Sequence, residues 1–121
     1  MNTDPSFNGS DEFSVAVHPN GACTVLRLSG ELDAFTAPRL SAGLAAGSEA
    51  GRPIVIDLSE LTFIDSGGIR ALANECADHR VALVCPRDHS IARVLEIVDM
   101  KRFVPVYERH DEALTCFAPV A

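Results

Sequence analysis

The sequence predicts an α/β domain built on a mixed, mostly parallel sheet of about five strands with about four helices, in the order β-β-α-β-α-β-α-β-α. Three observations lead there. Short β-branched runs alternate with stretches of helical hydrophobic period, which implies parallel strands joined by helical crossovers. The first two runs are separated only by the turn His18-Pro19-Asn20-Gly21, so the sheet opens with an antiparallel hairpin. The length of 121 residues suits one domain, and a chain of that size buries a core without a disulfide or metal staple.

Residues 1–11, rich in Asn, Ser, Asp and Gly, read as a flexible tail, and 12–121 as the folded domain. Phe13, Val15 and Val17 alternate with Ser14 and Ala16 as a short first strand. Residues 23–29 form the second, after which Gly30-Glu31-Leu32-Asp33 leaves the sheet. Thr36 reads as the N-cap of an Ala/Leu helix that tolerates Pro38 in its first turn and runs to Gly47 or Glu49. After the breaker Gly51-Arg52-Pro53, Ile54-Val55-Ile56-Asp57-Leu58 is nearly continuous in hydrophobicity, as a strand covered on both faces is. Residues 61–64 lead into Asp65-Ser66-Gly67-Gly68, and Ile69, Leu72, Ala73 and Cys76 then fall on one helical face. Residues 81–85 are another buried strand, stopped by Pro86. Ser90 caps a third helix with the stripe Ile91, Val94, Leu95 and Val98. Residues 103–107 are a last strand, placed at an edge by Pro105, and Asp111 caps a final helix containing Ala113 and Leu114.

Charge and composition remove several classes of function. Lys+Arg 10 against Asp+Glu 17 gives a net charge of −7, and the longest basic cluster is Lys101-Arg102, so a nucleic-acid partner is not expected. No stretch approaches the roughly 20 apolar residues of a membrane span. The polar, acidic N-terminus is neither a signal nor a transit peptide, which predicts a cytoplasmic protein. Cys23, Cys76, Cys85 and Cys116 contain no CxxC pair, so they read as reduced, mostly buried residues rather than a metal site. His18, His79, His89 and His110 are scattered beside turn residues and read as surface histidines. No nucleophile elbow or metal-binding motif is present, and neither catalysis nor a cofactor is expected.

The unusual punctuation is Asp65-Ser66-Gly67-Gly68, a hydroxyl between a carboxylate and two glycines where a strand gives way to a helix. The plain reading makes Ser66 the helix N-cap. The sharper one starts from the glycines, each costing a first helical turn up to about 1 kcal/mol relative to Ala. Two in a row lower the local surface, so that a partner protein or a nucleotide phosphate can approach the Ser66 hydroxyl. No Walker lysine or GxGxxG fingerprint accompanies them, so a nucleotide has little to hold it.

The run from Val55 through Asp57-Leu58-Ser59-Glu60-Leu61-Thr62-Phe63-Ile64-Asp65-Ser66-Gly67-Gly68-Ile69 resembles the signature of STAS domains of the bacterial anti-sigma factor antagonist type. Gly30-Glu31-Leu32-Asp33 with Thr36-Ala37 and Leu40 is similar to that family's second motif. Arg93-Val94-Leu95 with Phe103 and Val106 is similar to its C-terminal pattern. The resemblance spans about residues 13–118, with three motifs in order. It implies a STAS-like fold and a non-enzymatic regulator of transcription, often of stress responses. It also implies that Ser66 is phosphorylated by an anti-sigma factor serine kinase of histidine-kinase-like ATPase fold. The unphosphorylated form would capture that kinase and free a sigma factor, and a metal-dependent serine phosphatase would reset the cycle. Asp33, Asp65, Ser66, Gly67 and Gly68 are then the expected docking surface. Two departures stand out: Gly67 occupies a position where the family usually has Ser or Thr, and Asp99 one where Gly is common. The remaining alternatives are a weak nucleotide-binding STAS domain and a non-switching STAS module of a larger assembly.

Overall fold

A computed structural model describes residues 13–117, apart from the side chain of Ala50; the tail expected over 1–11 lies outside them. The elements follow the expected order: β1 (Ser14–Asn20), β2 (Cys23–Leu32), α1 (Ala37–Gly47), β3 (Ile54–Ile64), α2 (Ser66–Asp78), β4 (Val81–Val84), α3 (Ser90–Ile97), β5 (Val106–Tyr107) and α4 (His110–Cys116). The sheet runs β1-β2-β3-β4-β5, with β1 antiparallel to β2 and every other pairing parallel. Pro19 lies in β1, an edge strand, where a missing N–H is harmless.

The sheet separates two apolar layers. On one face Leu26, Leu28, Ile54, Ile56 and Leu83 pack with Leu40 and Leu44 of α1, Leu72 and Cys76 of α2, and Ile91 and Leu95 of α3. On the other, Cys23, Val25, Val55, Ala82 and Val84 pack against Ala113 of α4, with Leu114 and Phe117 beside it. Both faces of β3 and β4 are therefore covered, which explains their unbroken hydrophobic runs.

Three strand and helix boundaries differ from the sequence reading. β2 does not leave the sheet at Gly30 but continues to Leu32, with Gly30 at φ 89°. β3 is one strand of 11 residues rather than a core strand followed by a lead-in. Its register against β2 shifts twice: Arg27 pairs with Asp57 but Ser29 with Glu60, and Gly30 pairs with Leu61 but Glu31 with Phe63. Each shift adds one β3 residue, so its core-facing residues pass from Ile54, Ile56 and Leu58 to Leu61 and Ile64, at intervals of three instead of two. Local bonds support both bulges. The Ser59 amide donates to Asp57 Oδ1 (2.9 Å), and the Thr62 hydroxyl donates to the Gly30 carbonyl (3.0 Å). The last strand is shorter than expected, because residues 100–102 form a 3₁₀ turn and only Val106 and Tyr107 pair with β4.

The caps also differ. Ser90 is the first residue of α3, and the cap is His89, whose Nδ1 accepts from the Ile91 amide (3.1 Å). Asp111 lies inside α4, its carboxylate drawn to Arg109 at 3.0 Å. Three of the four histidines are half-buried, and only His18 is exposed. After α3, Asp99 adopts φ 58° and ψ 48°, the left-handed cap conformation that glycine takes without a Cβ penalty. Its ion pair with Arg102, 3.7 Å and exposed, offsets little of that strain. Asp99→Gly should therefore raise stability by about 0.5–1 kcal/mol, read from urea unfolding; an unchanged or lowered midpoint would contradict the assignment of strain there.

All four cysteines are free thiols, and Cys23, Cys76 and Cys85 are buried. Cys116, in α4, is exposed. Burial, with a smaller push from the Glu75 carboxylate, raises the Cys76 thiol to about 12. Burial and then Asp57 raise Cys85 to about 11. The folded values lie above the ordinary 9, so the neutral thiols stabilise the fold below pH 9, and that contribution is lost as pH climbs from about 9 through 11 and 12. Thiol titration of the native protein at pH 8 should accordingly label Cys116 at once and the other three only in denaturant. Stability should fall with rising pH above 9; prompt native labelling of Cys76 would refute this.

Candidate phosphoacceptor site

The end of β2 and the end of β3 lie side by side, with Glu31 beside Phe63 and Leu32 beside Ile64. From there each strand releases its chain into a helix, and the two junctions touch. The Asp65 amide donates to the Leu32 carbonyl (3.3 Å), which ties the start of α2 to β2.

Asp65, not Ser66, caps α2. Its backbone is extended (φ −109°, ψ −172°), its Oδ1 accepts from the Gly68 amide at 2.9 Å, and its carbonyl accepts from Ile69 at 2.8 Å. The plain reading of Ser66 as the cap is thereby corrected: a carboxylate one residue earlier is placed to accept the early helical N–H, and it adds a charge favourable to the helix dipole. Ser66 is the first residue inside the helix and is exposed. Its hydroxyl has no hydrogen-bond partner among the described residues, so it is available to an incoming reagent.

The glycines have separate duties. Gly68 is buried, and a β-carbon there would run into the Leu32 carbonyl oxygen while standing 2.8 Å from its carbon and 2.9 Å from Ile64 Cγ1. Backbone on one side and core on the other leave it no room, so Gly68 lets helix and strand pack closely rather than lowering the surface. A β-carbon at Gly67 would meet Ala34 Cβ at 3.0 Å and the Ala34 nitrogen at 3.1 Å. The Ser or Thr usual in the family would press on the Ala34 loop, and this chain avoids that contact with glycine.

The loop after β2 is equally fixed. Asp33 Oδ1 accepts from the amides of Phe35 and Thr36, both at 2.9 Å. The Thr36 hydroxyl accepts from the Asp33 amide at 3.0 Å and donates to the Glu31 carbonyl at 3.0 Å. Thr36 thus occupies the N-cap position of α1, as the sequence reading has it, but its side chain closes the loop and makes no cap bond. Sequence reasoning assigned Asp33 to a docking surface; the structure engages one of its carboxylate oxygens in holding the turn. It missed Phe35, which this clamp holds 93 % exposed. A lone aromatic inside Asp33-Ala34-Phe35-Thr36, a stretch with the form of a side-chain-bonded turn, was the available signal.

Asp33, Asp65, Ser66 and Gly67 therefore share one end of the sheet, with Gly68 beneath them. Among the described residues no group of three or more His, Cys, Asp or Glu is arranged to hold a metal ion, and no helix is long and apolar enough to cross a membrane. A recess of about 480 Å³ lies elsewhere, between α3 and β5, lined by Cys85, Leu95, Met100 and Tyr107 with Arg87 and Glu108.

A five-stranded mixed sheet with three helices on one face, one on the other and a serine at the start of α2 defines a recognisable class. The family model for the STAS domain matches residues 14–113, and the chain belongs to that family. The crystal structure of an anti-sigma factor antagonist from Mycobacterium paratuberculosis superposes with a TM-score of 0.77 at 28% identity, covering 88% of this chain and 94% of that one. The Bacillus cell fate determinant SpoIIAA in its phosphorylated form gives 0.57 at 19% identity over 88% of this chain and 100% of its own. Unphosphorylated SpoIIAA gives 0.56 at 20% identity, over 87% and 96%. At these identities the SpoIIAA structures speak to the fold alone. No curated protein sequence matches the chain.

The assignment of the cap is directly testable. Asp65→Ala should cost about 1 kcal/mol of stability, as lost N-caps do, and Ser66→Ala less than about 0.5 kcal/mol. The opposite order in chemical denaturation would return the cap to Ser66.

Proposed function

We propose that this protein is an anti-sigma factor antagonist whose unphosphorylated form captures an anti-sigma factor serine kinase in the cytoplasm, and that phosphorylation of Ser66 ends the capture. The observation that carries this reading is the free Ser66 hydroxyl: Asp65 serves the helix, and the serine is left exposed with nothing bound. The STAS family membership and the likeness to the mycobacterial antagonist support it. The chain itself performs no chemistry in this scheme. The partner supplies ATP, Ser66 Oγ attacks the γ-phosphorus, ADP leaves, and the hydroxyl proton passes to a base on the kinase. A metal-dependent serine phosphatase hydrolyses the phosphoserine and restores the hydroxyl.

The local physics suits a switch that leaves the fold intact. A phosphate adds about −1.5 to −2 charge. At the N-terminus of the 13-residue α2 such a charge is favourable by roughly 0.3–1 kcal/mol, so the phosphorylated domain stays folded. Repulsion from Asp65 is present in the free and the bound state alike and does not by itself release a partner. The difference arises when the dianion is buried against the kinase or faces a carboxylate there. Two unit charges 4 Å apart interact by about 4 kcal/mol at an effective dielectric near 20, enough to weaken binding about a thousandfold.

The test uses the purified anti-sigma factor kinases of the organism that encodes this chain, each incubated with it and ATP. Mass spectrometry should find a single phosphate on Ser66 and none on a Ser66→Ala variant. The phosphorylated chain should bind that kinase about a thousandfold more weakly than the unmodified one. Equal capture of both forms would defeat the switch, and an unmodified Ser66 would make the chain a non-switching STAS module.

A further inference from the structure

Five large apolar side chains of the described residues are exposed, and two of them flank the start of α2: Phe35 at 93 % and Phe63 at 47 %. Phe35 is the more telling. Its backbone is not loose, because the Asp33 carboxylate takes its amide and that of Thr36, while Thr36 ties the same loop to Glu31. The next residue back, Ala34, lies against Gly67, so the loop is in contact with the residue that follows Ser66. A rigid loop thus holds an almost fully exposed phenyl ring in water, next to a free hydroxyl. Such a ring gives the isolated domain nothing. In a complex it is a large apolar area presented at low entropic cost, the property that marks interface hot spots.

The strand ends and the two loops carry acidic charge, with the exposed Arg39 and Arg70 one turn into α1 and α2. Residues 28–36 and 58–69 contain Glu31, Asp33, Glu60 and Asp65 and no Lys or Arg. Resting on the reading above, we infer that Phe35 is the apolar anchor of the kinase interface, seated in an apolar socket whose rim is basic. The ring supplies the binding energy and the carboxylates supply orientation and association rate, in line with the usual division between buried aromatics and rim charges. Because Phe35 touches no core residue that its loss would expose, the side chain is free to determine which kinase is captured.

Calorimetric titration of the kinase that phosphorylates Ser66 tests this, with wild type, Phe35→Ala, Phe35→Tyr and Ile97→Ala compared. Ile97, at 72 % exposure on the last turn of α3, is another largely exposed apolar side chain, on a helix away from the Ser66 junction. Phe35→Ala should weaken binding at least thirtyfold, Phe35→Tyr less than threefold and Ile97→Ala less than twofold, with unfolding midpoints unchanged for all three. Raised salt should slow association of wild type and Phe35→Ala alike, since the carboxylates remain in both. Undiminished binding by Phe35→Ala, or equal losses for Phe35→Ala and Ile97→Ala, overturns the anchor while the phosphoswitch stands. A wild-type chain that no such kinase binds or phosphorylates overturns both.

Discussion

The contact between Gly68 and the Leu32 carbonyl governs the architecture of this end of the molecule, because no side chain, not even a methyl group, fits between them. With the Asp65 amide bonded to that same carbonyl, the first turn of α2 is pressed onto the end of β2. Several features follow. β2 must extend past Gly30 to bring Leu32 there, β3 must keep pace through two bulges, and the helix must be capped from Asp65. Ser66, one residue inside, is then turned to solvent without a role in the fold.

Stability and accessibility are thereby divided among neighbouring residues. Asp65 and Gly68 hold the helix start, and Asp33 and Thr36 hold the adjoining loop. Ser66, Gly67 and Phe35 are left for contact with the outside. Ser66 is a residue the core does not need, so under the proposed switch a phosphate there would change folding only slightly, through the helix dipole, and act mainly in a complex. That separation is what a reversible charge requires if it is to regulate association while the domain persists. The net charge is −7, and in the proposed complex the charges nearest a partner would be the few carboxylates beside these two loops.

The layer arrangement places this chemistry at the ends of parallel strands, where connections are surface-exposed and held by a rigid sheet. α1, α2 and α3 cover one face and α4 the other, so the central strands are buried on both sides. Asp57 is the buried carboxylate of the second face, and it is satisfied by the Ser59 amide and by Arg27 at 3.4 Å. The thiols of Cys76 and Cys85 belong to the first layer and behave as small apolar groups, raised well above ordinary cysteine by burial.

Sequence alone determined the element order, the opening hairpin, the covered strands and the apolar stripes of α2 and α3, because hydrophobic period and turn residues are local properties that survive without knowledge of the partner element. Its punctuation singled out Ser66 and the family resemblance added Asp33, two residues that the structure brings to one end of the sheet. The tertiary structure alone decided what those residues do. Leu58, Leu61 and Ile64 recur every three residues only because β3 bulges against β2, a register that no single-strand pattern displays. Ser66, Ser90 and Asp111 all have cap chemistry, yet the caps fell elsewhere, since a one-residue offset depends on where the preceding strand ends. Gly68 read as an opening in the surface and is a close packing contact, because what a missing side chain makes room for lies across the chain at Leu32. Phe35 counted as one more apolar residue until the Asp33 turn was seen to hold it in solvent; exposure is a property of the assembled surface, and periodicity cannot report it.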